Sequence, residues 1–256
     1  MGCLGWMLGL GLCLALLVAQ QSVLALIVFV ALVAVDGVMR RMKPLRVPMC
    51  LSREGKYAQA LAVSKELARK YQGQRQEPVL RYNVGVMLHR LGRFEESRAT
   101  LESVDSRDLP GKVRGFYFLN AALNDLFMGQ EGVIVARQLE AAEAELGELP
   151  YTLLPRAHFE LRRGQAEEAE RCVEDYLSRP PRRAWLPGFT IVYIDPSFKA
   201  LEQCLLGYHY LHTGRPAQAR EALALAAQFP PELYYARMAK DLLDKLERPE
   251  PPAEPK

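Results

Sequence analysis

The chain has 256 residues, with 33 basic and 30 acidic side chains and a formal net charge of +3. A surface of mixed sign argues against a nucleic-acid-binding protein, in which basic residues concentrate on one face. The five cysteines are odd in number and lack a CxxC or other metal-ligand spacing, which favours free thiols in a reducing compartment. Charge is unevenly distributed, because residues 3–35 contain no charged side chain at all.

The uncharged stretch predicts a membrane segment over residues 1–39. Its apolar length exceeds that of a signal-peptide core, and neither a preceding basic region nor a small-residue cleavage site accompanies it. One spanning helix needs about 20 apolar residues, so a single span fits. It would, however, place Gln20, Gln21 and Ser22 near the middle of the membrane, where polar side chains are costly. A turn at residues 20–22 gives a two-helix hairpin instead; the hairpin is favoured, and both arrangements remain open.

The sidedness of the chain follows from the basic residues after this segment, which are Arg40, Arg41, Lys43 and Arg46. Basic residues next to a span stay in the cytoplasm, so we expect an integral protein, most simply of the cytoplasmic membrane, whose later residues face the cytoplasm. Residues 40–48 form a basic linker stiffened by two prolines. Gly5 and Gly9 have the GxxxG spacing that lets membrane helices approach closely, which raises self-association as a hypothesis.

After the linker, glycines recur at the centres of successive helix–turn–helix patterns. The best-formed pattern covers residues 78–104, where apolar and small residues at helical spacing stop at Gly92 and resume with Phe94, Ser97 and Leu101. A single pair of helices of this size cannot bury its apolar face alone, so further copies are expected. Aligned turns lie at Gly55, Gly92, Gly129, Gly164 and Gly214, in steps of 37, 37, 35 and 50 residues.

This pattern resembles the tetratricopeptide repeat, whose period is about 34 residues, with small residues on both helices and a proline near the end. Its positions are matched in the second copy by Gly85, Phe94, Ser97, Leu101 and Pro110, and in the last by Leu206, Gly207, Tyr210, Ala219, Leu223 and Pro231. The third copy departs most, with Gly132 and Ile134 in place of an aromatic and a small residue. The resemblance implies an all-α fold in which residues 49–231 form a right-handed α-solenoid. Residues 232–246 would cap it with one amphipathic helix, and the proline- and charge-rich residues 247–256 would be disordered.

Residues 180–198 form an insertion between the fourth and fifth copies. Four prolines forbid a continuous helix there, and the apolar side chains include Trp185, Phe189 and Tyr193. Such a long insertion is expected either to fold back and seal a gap between copies, or to bind a partner. A contact with the membrane interface is the third interpretation.

No catalytic constellation is present in the sequence, and we expect neither a metal nor a cofactor. His209 and His212 lie three residues apart on one helix, a spacing that can serve a metal, but no carboxylate or thiol pattern completes the site. The sequence also lacks a phosphate-binding glycine loop and the HExxH and GxSxG motifs. The chain is therefore expected to be non-catalytic.

The resemblance implies protein recognition on the inner wall of the solenoid, which the first helix of each repeat lines. Carried over by position, the groove would consist of Tyr82, Val86, His89, Arg90, Leu119, Leu123, His158, Arg162, Tyr208 and His212. A mostly apolar groove edged by cations favours an amphipathic peptide segment as partner; the alternative is that several of these residues belong to the core between helices. Two hypotheses for the whole chain follow, a membrane-anchored adaptor or scaffold and an accessory subunit of a larger membrane complex held by its membrane hairpin.

Overall fold

The structure is a computed structural model that describes residues 10–11, 26–33, 47–130, 132–147, 149–179 and 196–247. It divides into two compact bodies, residues 1–46 and residues 47–256, which are described separately. Most of the predicted membrane segment 1–39, including Gly5 and Gly9, lies outside the described residues. So do most of the linker, residues 248–256 of the predicted tail, and residues 180–195 of the insertion with Trp185, Phe189 and Tyr193.

In the N-terminal body, residues 26–33 are helical and consist only of apolar residues. None of these eight side chains is buried: Leu26, Ile27 and Val30 expose more than half of their surface, and every face of the helix is apolar. Among the residues that the structure describes, no helix is both long and apolar enough to cross a membrane.

The C-terminal body is all-helical over its described residues. Residues 47–53 form a first short helix, in which Pro48 occupies the first turn, where a proline is tolerated. The helices that follow are α1 (Tyr57–Lys70), α2 (Glu77–Arg90), α3 (Phe94–Glu102), α4 (Gly111–Phe127), α5 (Val133–Leu146), α6 (Leu153–Arg162), α7 (Ala166–Ser178), α8 (Pro196–His212), α9 (Pro216–Ala227) and α10 (Tyr234–Glu247). Two 3₁₀ turns, Ser106–Asp108 and Pro150–Thr152, precede α4 and α6.

These helices pack in antiparallel pairs that we call repeats 1 to 5. Repeat 1 is residues 47–53 with α1, and repeats 2 to 5 are α2–α3, α4–α5, α6–α7 and α8–α9. The five predicted turn glycines all have φ between 72° and 82°, the left-handed region in which a side chain is strained. In repeat 2, the Gly92 N–H donates to the His89 carbonyl at 2.9 Å, and the Arg93 N–H donates to the Leu88 carbonyl at 3.0 Å. This pair of bonds is the Schellman motif, and it recurs at each of the five turns.

Within a repeat, a small residue on the first helix lets the second helix approach closely. A Cβ placed on Gly85 would lie 2.7 Å from Leu101, and a Cβ placed on Gly207 would lie 2.5 Å from Leu223. Opposite Gly85, the fully buried Ser97 hydroxyl donates to the Gly85 carbonyl at 2.8 Å. The small residues that the sequence analysis singled out therefore lie at the helix crossings.

Repeat 3 differs from the others in its turn. The second helix begins two residues after the turn glycine in the other four repeats, whereas α5 begins at Val133, four residues after Gly129. Val133 and Ile134 are consequently exposed, and the buried positions move to Val135, Leu139, Ala142 and Leu146. The departure noted at Gly132 and Ile134 thus corresponds to a longer turn with a shifted register.

The boundaries of two predicted segments change in the structure. α8 begins at Pro196, so residues 196–198 of the predicted insertion belong to this helix; proline is favoured at the first helical position because its missing N–H would be unbonded there anyway. Ser197 is buried and Phe198 half-buried, because this first turn packs on the preceding repeats. At the other end, α10 includes Glu247, the first residue of the predicted tail.

Candidate interaction surface

The inner helices of the repeats converge instead of enclosing an open channel. Phe198 and Leu201 of α8 and Tyr235 of α10 lie against α2 and α4, and only a cavity of about 40 Å³ remains between them. Six of the ten predicted groove residues are buried around this cavity, namely Tyr82, Val86, His89, Arg90, Leu119 and Leu123, and a seventh, His158 of α6, is buried outside it. A ligand could reach the six residues at the cavity only if α8 or α10 moved away.

The other three predicted groove residues remain accessible. Arg162 and Tyr208 are half-buried and His212 is exposed. The Tyr208 ring packs edge-on against the buried His158, with 4.5 Å between centroids, and stacks on His212 at 4.0 Å. We call Arg162, Tyr208 and His212 the rim site, because they lie near the ends of α6 and α8, next to the turns.

Backbone contacts hold the rim site in place. The Arg162 guanidinium donates to the Leu126 carbonyl at 2.6 Å, which ties repeat 4 to the last turn of α4. The His212 Nδ1 lies 2.9 Å from the Tyr208 carbonyl, as expected when it donates to an oxygen one turn earlier on its own helix. The rim site thus offers two rings and a cation whose positions the fold fixes before any partner arrives.

A continuous set of ring contacts connects the rim site to the centre of the body. Phe127 lies 5.9 Å from His158 and 5.3 Å from Tyr234, and Tyr234 packs edge-on against Phe94 at 4.7 Å. Phe94 and Phe127 also stack at 5.3 Å. These aromatic residues come from repeats 2 and 3 and from α10, so the cluster joins parts of the sequence that are far apart.

The buried histidines of the predicted groove are uncharged at neutral pH. Burial lowers the pKa of His89 to about 4, against a smaller opposing effect from its hydrogen bond to Asn124. Burial also lowers the pKa of His158 to about 3, and the nearby Arg162 acts in the same direction. The buried Arg90 donates a 2.9 Å hydrogen bond to the Ser52 hydroxyl, among other contacts. These side chains serve the packing of the body.

One polar network at the centre was not predicted from the sequence. His89 Nδ1 lies 2.6 Å from Asn124 Oδ1, and the Asn124 amide donates to the Ser97 hydroxyl at 2.8 Å. Because the Asn124 oxygen accepts, His89 carries its proton on Nδ1. His89 and Ser97 were singled out for other reasons, and Asn124 was missed, since a polar residue on a helix has no sequence mark that distinguishes a buried position from an exposed one.

A wider groove of about 740 Å³ lies between α5, α6 and α7, and ion pairs line it. Arg156 pairs with Glu143 at 3.0 Å, and Arg163 pairs with Glu160 at 3.2 Å. Its lining carries four carboxylates and three arginines, so the charges of opposite sign nearly cancel and the groove offers a ligand a formal charge of only −1. In the described part of the chain, no group of three histidine, cysteine or acidic residues could hold a metal ion.

Comparison with known proteins finds one family. The tetratricopeptide repeat matches residues 78–103, 150–175 and 203–225, which cover α2–α3, α6–α7 and most of α8–α9. The chain therefore carries tetratricopeptide repeats at three positions, repeats 2, 4 and 5, and repeat 3 with its altered turn is not among them. Searches of curated proteins and of solved structures returned no significant match.

Proposed function

We propose that this chain, with its three tetratricopeptide repeats, is a non-catalytic adaptor or scaffold that binds a protein partner at the rim site. Such repeats are interaction elements, which supports the class of function. The observation that carries the location is the stacking of two predicted binding residues that stay accessible, Tyr208 and His212, next to the buried His158, whose pKa is also lowered by the accessible Arg162. Two stacked rings beside a cation suit a segment with an aromatic side chain and an acidic group.

The test is recovery of partners by affinity purification of the full chain in mild detergent, identified by mass spectrometry. We expect Tyr208→Ala/His212→Ala to lose the main partner while keeping wild-type helicity. The matched control is Glu174→Ala, an exposed position on α7 outside the rim site. Unchanged capture by the Tyr208→Ala/His212→Ala variant would reject the rim site as the binding surface.

The proposal also includes a membrane anchor in residues 1–39, with the repeats on the cytoplasmic side. Two observations support it: residues 3–35 carry no charge, and helix 26–33 is apolar on every face without being covered by protein. A helix of that kind belongs in lipid or inside a larger protein assembly. Anchoring would raise the effective concentration of the bound partner at the membrane surface.

Sidedness is tested by fusing a phosphatase that is active only outside the cytoplasm after Lys256. Arg40, Arg41, Lys43 and Arg46 follow the segment, so we expect little activity from this fusion and retention of the chain in alkali-washed membranes. A control fusion with an added spanning helix before the phosphatase should restore activity. Strong activity of the first fusion would overturn the proposed topology.

The second candidate is an accessory subunit of a larger membrane complex. It is favoured by the same helix 26–33, whose exposed apolar faces could contact other membrane helices as well as lipid. Replacing residues 1–39 with an unrelated membrane anchor separates the two functions. Partner capture would persist for an adaptor, whereas co-purification of the complex would be lost for a subunit.

A further inference from the structure

The start of the last helix is seated on the turns of the first two repeats. We call residues 230–237 the C-terminal latch. The Glu232 carboxylate accepts a hydrogen bond from the Ala58 N–H at 3.0 Å, and the Arg237 guanidinium donates to the Leu91 carbonyl at 2.9 Å. The latch therefore contacts residues more than 140 positions away in the sequence.

The fit between the latch and the turns is close. A Cβ on Gly92 would lie 2.7 Å from the Tyr234 ring, and a Cβ on Gly55 would lie 2.6 Å from Pro230. Both glycines adopt the positive φ that their turns require, and because they have no side chain they also leave room for the latch. The Tyr234 ring completes the contact by packing edge-on against Phe94.

The covered surface has a definite chemical pattern. The first turn of α1 presents unbonded backbone N–H groups, which favour a carboxylate, and the end of α2 presents carbonyls, which favour a cation. Between them, Gly92 and Phe94 form an aromatic-sized slot. Glu232, Tyr234 and Arg237 supply the acid, the ring and the base that match these three features in order.

The latch can leave this surface without unfolding its own helix. α10 also packs on α8 and α9, its neighbours in sequence, and those contacts do not involve the first two repeats. Both hydrogen bonds of the latch are solvent-exposed, so each contributes little to stability. Moving α10 away from repeats 1 and 2 keeps its packing on α8 and α9 but also withdraws the buried Tyr235 from beside α2 and α4, so a partner that takes this surface has to replace that contact as well.

We propose that the surface formed by the α1 N-terminus, Leu91, Gly92 and Phe94 is a second interaction surface, which the chain covers with its own latch. Its partner is a helix of another protein with the chemistry of the latch: an acidic residue before the first turn, an aromatic residue two positions later and a basic residue three further on. This inference rests on the proposed role in protein binding and adds a site distinct from the rim. A partner binds here by displacing the latch.

The experiment uses a fluorescent peptide of residues 230–247 and the full chain in mild detergent, read by anisotropy. The latch covers the surface in part of the molecules, so the apparent affinity for the peptide is the intrinsic affinity multiplied by the fraction of molecules in which the surface is uncovered. We expect Tyr234→Ala/Arg237→Ala, which weakens the covalently attached latch, to bind the peptide at least about tenfold more tightly than wild type. The variant Glu232→Ala/Arg237→Ala changes only exposed side chains and should give the same direction of change.

Two controls locate the binding. Lys240→Ala lies on the exposed side of the same helix, and its affinity should equal that of wild type. Adding Gly92→Ala to Tyr234→Ala/Arg237→Ala should abolish the gain, because the new methyl group occupies the place of the peptide's aromatic ring. Alanine is also strained at the φ of 79°. Gly164→Ala controls for that strain and should keep the gain, because its φ is 77° and its Cβ would meet nothing within 4 Å. A peptide with Glu232→Lys and Arg237→Glu should fail to bind either chain.

Three results would overturn the inference: no gain in either weakened variant, an equal gain in Lys240→Ala, or a gain that survives Gly92→Ala. Partner capture through Tyr208 and His212 is measured in a separate assay with the unlabelled partner. Loss of peptide binding with intact capture therefore refutes the latch alone, and loss of capture with intact peptide binding refutes only the rim site.

Discussion

The contact between Gly207 and Leu223 gives a quantitative test of how a repeat is packed. In Gly207→Ala the added Cβ would lie 2.5 Å from Leu223 Cγ and 3.3 Å from the Leu223 backbone nitrogen. Cγ could move only by a change of χ1, for which the fully buried Leu223 has no free space, and the backbone nitrogen moves only with its helix, so α9 has to shift. Overpacking of this kind costs about 1–3 kcal/mol.

The net effect is smaller because alanine is the better helix former. A contact of 2.5 Å is shorter than real Cβ contacts, so the upper part of that range, about 2–3 kcal/mol, applies. The gain in helix propensity is about 1 kcal/mol, so Gly207→Ala should destabilise the body by about 1–2 kcal/mol. For a body of this size, that corresponds to a fall of about 3–6 °C in the melting temperature. The measurement is urea unfolding of the full chain in mild detergent, followed by circular dichroism.

The matched control is Gly111→Ala, also on the first helix of a repeat. There an added Cβ meets only the Glu145 carboxylate, at 3.4 Å, and this flexible side chain can move. We expect its stability to be unchanged or to rise by less than about 1 kcal/mol. Stability of Gly207→Ala equal to or above wild type would refute the packing argument.

A double-mutant cycle with Leu223→Ala sharpens the test. Alone, Leu223→Ala should cost about 2–5 kcal/mol, because the side chain is fully buried. In Gly207→Ala/Leu223→Ala the new methyl group fills part of the space that the leucine leaves. The loss of stability in the double variant should therefore be smaller than the sum of the two single losses by at least about 1 kcal/mol. Strict additivity would mean that the two residues do not share this space.

Three further predictions concern the buried polar groups. Asn124→Ala removes the hydrogen bond of the buried His89 Nδ1 and one of the two at the Ser97 hydroxyl, and should cost about 2–4 kcal/mol in the free energy of urea unfolding. His158 is neutral in the fold, and its pKa of about 3 lies below the unfolded value of 6.5, so the free energy of unfolding falls as pH drops below 6.5. His158→Phe should reduce this loss by up to about tenfold in the folding constant per pH unit between pH 6 and 4. Urea unfolding at each pH measures the effect. In a chain without Cys3 and Cys13, the exposed Cys50 should react quickly with a thiol reagent at pH 8. Burial raises the pKa of the Cys204 thiol to about 12, so Cys204 should react only when the chain unfolds. Fast labelling of Cys204 in the native chain would contradict this.

The helix pairs could be predicted from the sequence because their determinants are local. A turn that ends one helix and starts the next needs a residue with positive φ, and glycine is the residue that supplies it at no steric cost. Gly55 and Gly164, at which the sequence pattern predicts turns, have φ of 78° and 77°. The longer turn after Gly129 also has a signal in the sequence, because Gly132 and Ile134 depart from the residue types that the repeat pattern expects.

Accessibility of the inner wall could not be predicted in the same way. Val86 and Tyr208 occupy equivalent places, six residues before the turn glycines Gly92 and Gly214, yet Val86 is buried and Tyr208 half-buried. The difference comes from where the first turn of α8 and the start of α10 lie against the earlier repeats, as Phe198 and Tyr235 do beside Val86. Those contacts join residues more than a hundred positions apart, and no periodicity within a repeat encodes them.

The position of α10 follows from the need to cover the last repeat. A repeat array has to end in a helix with one apolar and one polar face, and α10 meets this need through the buried Ala236 and Ala239 on α8 and α9. Capping alone does not require the acid, ring and base of residues 232–237, which contact repeats 1 and 2. These side chains add a long-range contact to a helix whose local packing is already satisfied. The position of α10 therefore depends on contacts at both ends of the array, and only the capping contacts on α8 and α9 follow from the repeat pattern.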